Sequence, residues 1–311
     1  MDTRSAMLAR FGQDLWVADG GLETELVFHD GRDLPLFASF PLVMDDEGRA
    51  RLDRYFAGYA DAAARLGMGF GLDTVTWRAS HGWGAQMGID AAGMEAVNRA
   101  AVALARDFRG RRGGRFVVNG LIGSMGDGYV AGTMTAAAAE AYHAPQIRAL
   151  AAAGAEMGTV MTMTTAAEAI GVTRAAGAAR LPFVTGLTLE TDGRLPSGET
   201  LAEAIAAVDT ATDGWPMWYL INCAHPDHFR HILRGDWTHR IGAVRANASR
   251  LSHAELDACT TLDAGDPAEF GRLCADLRTL LPGLRVLGGC CGTDLRHIAA
   301  VGAACCGRRA A

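Results

Sequence analysis

Residues 115–162 run Arg115-Phe116-Val117-Val118-Asn119, then a glycine-rich loop, then an alanine-rich stretch over 136–153, then Gly158-Thr159-Val160-Met161-Thr162. Two short, β-branched apolar runs flank a segment of strong helix formers, the pattern of a strand–helix–strand unit whose strands are parallel and covered by helices. The same alternation extends in both directions. Strands are expected over 15–19, 70–76, 115–119, 158–162, 183–189, 217–222, 241–245 and 284–287, and helices over 52–66, 91–108, 136–153, 201–209 and 267–281. Eight strands in a chain of 311 residues predict a single-domain α/β fold, a closed (βα)8 TIM-type barrel over 1–311, with 302–311 as a frayed tail. Residues 28–46, rich in Pro, Gly and Asp, read as a long functional loop after the first strand.

Composition narrows the function classes. No run reaches the roughly 18 apolar residues of a membrane span, and the charged Met1-Asp2-Thr3-Arg4 lacks the apolar core of a signal peptide. Net charge is −6, and the basic stretches are as short as Arg109-Gly110-Arg111-Arg112, which argues against nucleic acid as a partner. Seven cysteines, an odd count without a secretion signal, predict reduced thiols and a cytoplasmic location.

A barrel places its chemistry just past the C-terminal strand ends. Asp19, Asn119, Asn222, Cys223, Asn247, Cys290 and Cys291 fall at such positions. Cys290 and Cys291 are adjacent within Leu287-Gly288-Gly289-Cys290-Cys291-Gly292. Neighbouring cysteines do not readily bond to each other, but flanking glycines let the backbone bend so that both reach one soft cation. With Cys223 from Ile221-Asn222-Cys223 they form a three-thiolate zinc site, Zn2+ being the expected cofactor. Three protein ligands leave a tetrahedral position open, which indicates catalysis rather than structural stapling. The alternative, small buried hydrophobes, suits Cys259 and Cys274 better; Cys305-Cys306 is a second adjacent pair in the tail.

Other segments are consistent with a small-molecule pocket. Asp19-Gly20-Gly21-Leu22-Glu23 offers a close backbone approach beside two carboxylates, or else a helix start with acids in its first turn. It lacks the dinucleotide spacing, and Gly120-Leu121-Ile122-Gly123-Ser124-Met125-Gly126-Asp127-Gly128-Tyr129 lacks the Lys-Ser/Thr of a P-loop. Trp77 places an aromatic face at the barrel mouth, where it suits a sulfonium or quaternary ammonium. His81, His143, His225 and His228 are surface or packing histidines in this reading, with His225 closest to the metal in sequence.

Asp19-Gly20-Gly21, Thr76-Trp77-Arg78-Ala79-Ser80, Gly123-Ser124-Met125-Gly126, Ile221-Asn222-Cys223 and Gly288-Gly289-Cys290-Cys291-Gly292 together resemble the homocysteine S-methyltransferase family, which includes betaine–homocysteine methyltransferase. The resemblance implies a (βα)8 barrel with catalytic zinc on Cys223, Cys290 and Cys291. It also implies methyl transfer from a sulfonium or quaternary ammonium donor to the thiol of homocysteine, giving methionine. Asp19 would hold the acceptor's ammonium, with Gly20 and Gly21 lining its pocket. Substrate contacts are likewise expected from Glu23, Trp77, Asn222 and Glu190, the last on the polar loop Leu189-Glu190-Thr191-Asp192-Gly193-Arg194.

The pattern departs from the family in two places. Where relatives carry Glu-Thr after strand four, this chain has Met161-Thr162, leaving Glu23 or Glu168 as substitutes. Many sulfonium-using relatives have Asn where Val75 stands. Another thiol or selenol acceptor, or a non-catalytic thiol or zinc sensor, are the alternatives. The betaine enzyme's long C-terminal arm has no counterpart, so a monomer or small homo-oligomer is expected. The expected partners are a small-molecule thiol acceptor and a cationic methyl donor, with no nucleic acid and no membrane.

Overall fold

The computed structural model describes residues 2–307. Eight parallel strands close a barrel in sequence order: β1 (Trp16–Val17), β2 (Gly69–Asp73), β3 (Phe116–Ile122), β4 (Met157–Met163), β5 (Phe183–Thr188), β6 (Trp218–Asn222), β7 (Ile241–Ala246) and β8 (Val286–Gly289). Closure is made where Trp16 and Val17 of β1 register against Val286 and Leu287 of β8. The main helices are α1 (Thr3–Phe11), α2 (Asp46–Arg65), α3 (Ala91–Arg112), α4 (Ala136–Ala153), α5 (Ala166–Ala178), α6 (Leu201–Thr212), α7 (Pro267–Leu280) and α8 (Leu295–Gly307). Short helical turns, Pro226–Phe229, Arg230–Ile232 and Asp236–Arg240, replace a long helix between β6 and β7. No helix among the described residues is long and apolar enough to cross a membrane.

Local chemistry sets these elements. Helix α4 starts on Thr135, whose hydroxyl accepts from the Ala138 amide at 3.2 Å, continues through alanines, and stops at Gly154 with φ 94°. Helix α6 opens with a reciprocal capping box between Thr200 and Glu203. In β3, Phe116 and Val118 face the helices while Val117 joins the barrel interior, as a period of two requires. The interior layer also holds Trp16, Met157, Met161, Val184, Trp218 and Leu220.

Helix α1, which the apolar pattern did not predict, closes the bottom of this interior. Its Phe11 ring lies 4.7 Å from that of Trp16 and 4.9 Å from that of Trp218. Such edge-on aromatic clusters add to the burial itself. Two further expectations are corrected. The tail at 302–311 is helical as far as α8 is described, and Val301 and Cys305 are buried because α8 lies against α7; residues 308–311 and the Cys306 side chain lie outside the described residues. Asn119 is not at a strand end: β3 continues to Ile122, and the Asn119 side chain bonds Asp73 at 2.7 Å and Thr159 at 3.0 Å inside the barrel.

Candidate metal centre and cavity

The C-terminal end of β8 is held between its two neighbours. The Gly289 amide donates to the Asp19 carbonyl at 2.9 Å, and the Cys290 amide to the Ala246 carbonyl at 2.8 Å. The loop then turns back through Gly292, φ 78°, whose amide donates to Thr24 Oγ1 at 3.2 Å. Gly21 is required by this arrangement: a Cβ there would stand 2.6 Å from the Cys290 carbonyl oxygen. Gly20 is constrained in the same way by the Tyr59 hydroxyl, 2.7 Å from such a Cβ. These two glycines let the β1 loop seat against the cysteine loop and α2.

Cys223 enters from the end of β6 with φ 54°, a left-handed backbone that non-glycine residues adopt at a cost. Its sulfur and those of Cys290 and Cys291 all lie within 4.8 Å of one another, the one group among the described residues that could hold a metal through three such ligands. The Cys223 and Cys290 sulfurs lie close together, with Cα atoms 5.6 Å apart. The three thiolates suit a soft tetrahedral cation, for which zinc–sulfur bonds of about 2.3 Å set sulfurs about 3.8 Å apart. Burial raises the Cys291 thiol above its ordinary range, and a hydrogen bond with the Tyr129 hydroxyl at 3.1 Å opposes that shift.

The cysteines lie in a cavity of about 450 Å³ at the barrel mouth. Asp19, Gly20, Gly21, Glu23 and Trp77, all expected at the site, line it, as do Met161 and Thr162. Two expected residues do not. Asn222 is fully buried, and its Oδ1 accepts from the Thr162 amide at 3.1 Å, bracing the irregular end of β4, where Thr162 has φ 62°. Glu190 sits off the cavity and bonds His253 Nδ1 at 3.0 Å. Of the proposed stand-ins for the missing glutamate, Glu168 is committed elsewhere, to the Met125 amide at 2.8 Å and to His143 at 3.1 Å. Glu23 remains in the cavity, bonded to Ser39 Oγ at 2.6 Å, and burial raises its carboxyl.

Charge in the cavity is unevenly balanced. Arg245, from β7, grips Asp19 and Asp73 and donates to the Gly289 carbonyl at 3.0 Å. One guanidinium thus faces two buried carboxylates. Burial, with the like charge of Asp73, pushes the Asp19 carboxyl up to about 7 despite Arg245. Arg78 lies 4.3 Å from the Trp77 ring centroid and 3.7 Å from that of Trp83. The Trp77 ring expected to receive a donor cation already carries one, so a second on that face would meet like charge. Arg78 Nε has no hydrogen-bond partner and is buried.

None of the four histidines considered from sequence joins the metal group. His225 caps the Pro226–Phe229 turn by accepting from the Asp227 amide at 3.2 Å, and burial lowers it to about 4. Sequence reasoning missed Arg245, Asp73, Tyr129 and His253. A signal existed for the first two: each is a charged residue at the end of an otherwise apolar strand.

The sequence profile described as homocysteine S-methyltransferase matches residues 16–305. Among solved structures, the oxidized form of the homocysteine methyltransferase MmuM from Escherichia coli is 24% identical, with a TM-score of 0.73 over 97% of this chain and 99% of that one. The metallated form of the same enzyme is 23% identical, with a TM-score of 0.72 over the same shares. At these identities the likeness is one of fold. No curated protein matches the chain.

Proposed function

The chain belongs to the homocysteine S-methyltransferase family, and from that we propose that it moves a methyl group from a small sulfonium or quaternary ammonium donor to the thiol of homocysteine, with zinc as its metal. The observation that carries the reading is the meeting of three cysteine sulfurs from two strand ends within 4.8 Å, in a cavity lined by Asp19, Glu23 and Asp73. Bound to Cys223, Cys290 and Cys291, zinc supplies a Lewis acid with a position open to a thiol, whose proton it makes easier to lose at neutral pH.

The protein's own groups do the rest by holding and orienting. Glu23 offers a half-buried carboxylate to the acceptor's ammonium, taking the place of the acid that Met161 removes from β4. Arg78, which also lines the cavity, offers its guanidinium charge to a substrate carboxylate, so the two together suit a zwitterion. Phe28, Phe37 and Tyr129 supply the apolar mouth of the cavity. Buried acids outnumber buried bases there, which favours a cationic donor over a neutral one. Alignment of donor carbon and sulfur is then the barrel's contribution to rate.

A second acceptor class is favoured by one observation. Met161 is buried in the apolar cluster against which Trp77 and Cys290 pack, so its part of the β4 wall of the site is apolar. That wall suits a thiol or selenol with less amino-acid character than homocysteine. The experiment is to incubate zinc-loaded protein with homocysteine, selenocysteine or simple thiols and with S-methylmethionine, S-adenosylmethionine or betaine, and to measure the methylated product. Methionine from homocysteine with a cationic donor supports the main reading. Absence of any methylated product across the panel overturns it.

A further inference from the structure

The metal ligands are not held by their strands alone. His253, at the start of the short helix His253–Ala258, is buried with both ring nitrogens facing acceptors. Nε2 lies 2.6 Å from the Cys223 carbonyl oxygen and Nδ1 lies 3.0 Å from Glu190 Oε1. Its ring also stacks on that of Tyr129, centroids 3.9 Å apart and planes 16° from parallel. The Tyr129 hydroxyl in turn reaches Cys291 Sγ at 3.1 Å. One imidazole therefore links the β3, β5 and β7 loops to two ligands that belong to the β6 and β8 ends.

We propose that His253 is a positioning residue for the metal centre, setting the backbone of Cys223 directly and the sulfur of Cys291 through Tyr129. The need for such a part is visible at Cys223. Its left-handed backbone is disfavoured for a residue with a Cβ, and it aims the carbonyl oxygen away from the strand ladder, where His253 receives it. Glu190 Oε1, 3.0 Å from Nδ1 on the far side, fixes the ring, the arrangement by which outer groups commonly orient metal sites. Tyr129 acts differently. An O–H donated to a thiolate draws electron density from the sulfur and restrains its rotation about Cα–Cβ. Held in this way, Cys223 and Cys291 converge before any metal arrives.

The inference rests on the zinc reading above, and the test separates the two by measuring metal rather than methyl transfer. Wild type, His253→Ala, Glu190→Gln and Tyr129→Phe are reduced, stripped of metal and titrated with Zn2+ against a chromophoric chelator. They are also loaded with Co2+ to read the sulfur-to-cobalt absorption band. Removing outer-shell partners typically weakens metal by about 10–100-fold. His253→Ala is expected to lose about tenfold or more in zinc affinity, and Glu190→Gln a smaller factor in the same direction. Tyr129→Phe keeps the ring stack and is expected to shift the cobalt band, because only the hydrogen bond to Cys291 changes. Zinc affinities within twofold of wild type together with an unchanged cobalt band in all three variants overturn the proposal. If His253→Ala does not fold, the half-exposed Tyr129 and Glu190 variants decide on the same criteria. Wild type that binds no zinc overturns the metal reading itself, and this inference with it.

Discussion

Arg245, at the end of β7, holds Asp19, at the end of β1, across the mouth of the barrel, although 226 residues separate them. The same guanidinium holds Asp73 of β2 and the carbonyl of Gly289, the residue before the cysteine pair. One side chain thus ties the strands that flank the β8 loop. Removing it leaves two buried carboxylates without their counter-charge, and breaking a buried ion pair from one side costs about 3–5 kcal/mol. Arg245→Met is expected to lower the unfolding free energy measured in urea by that amount, whereas Asp73→Asn, which removes one of the competing charges, costs less. Equal losses for the two variants would contradict the shared-cation account.

Metal and activity are expected to vanish together. Cys223→Ser and Cys290→Ser each take a thiolate from a three-ligand set, so elemental analysis is expected to find zinc well below one per chain and the methyl transfer lost. A strong chelator should do the same to wild type, reversibly on adding zinc. Cys274→Ala is the contrast: that thiol is fully buried between helices, where burial and the nearby Cys305 raise it, so its loss costs stability and leaves the metal in place. Full turnover in metal-free Cys290→Ser would end the zinc reading.

The strand order was legible in the sequence because short aliphatic and β-branched runs, such as Phe116-Val117-Val118 and Ile241-Gly242-Ala243-Val244, recur between alanine-rich segments. Boundaries were less so. Gly120 looked like a stop, yet β3 runs through it because the glycine packs against Leu150 rather than turning. Helix α1 was missed because only Met7 and Phe11 are buried, too sparse for a periodic signal, and α8 because its buried face includes Gly302 and Cys305. At the site, the paired cysteines announced themselves, since glycine-flanked adjacent thiols have few other uses. Arg245 and His253 did not: their partners come from distant loops, and only barrel closure brings them together.

Stability at acid pH carries a signature of Asp294. Against the effect of burial, hydrogen bonds from Arg296 and the nearby His297 hold its carboxyl at about 2, below the ordinary 3.8. A depressed carboxyl binds its proton more weakly in the folded chain than in the unfolded one. Its contribution is therefore present above pH 3.8 and lost as pH falls through about 2. Because Arg296 is largely exposed, solvent screening reduces the contribution to about 1 kcal/mol. Asp294→Asn should be less stable than wild type by that amount at pH 7, and the gap should close as pH falls from 4 to 2. A gap independent of pH would assign the cost to lost packing instead.

In the proposed function Glu23 and Met161 make opposite contributions to holding the acceptor's ammonium, and this can be separated from folding. Glu23→Gln keeps an oxygen for the Ser39 hydroxyl, so the β1 loop retains its anchor while the charge is removed. If the carboxylate holds the acceptor's ammonium, a charge-assisted hydrogen bond of about 1.5–3 kcal/mol is lost, which is roughly a 10–100-fold rise in KM for homocysteine. A simple alkyl thiol, with no ammonium to hold, should be methylated equally well by Glu23→Gln and wild type. Met161→Glu places a carboxylate on the β4 wall, where the family usually carries one, and in the Glu23→Gln background it should recover most of the lost discrimination. Steady-state kinetics with both acceptors on the four proteins decide the matter. Parallel losses for homocysteine and the alkyl thiol in Glu23→Gln would mean that Glu23 shapes the loop rather than the substrate. A Met161→Glu variant that leaves the homocysteine preference of Glu23→Gln unchanged would place the ammonium elsewhere in the cavity.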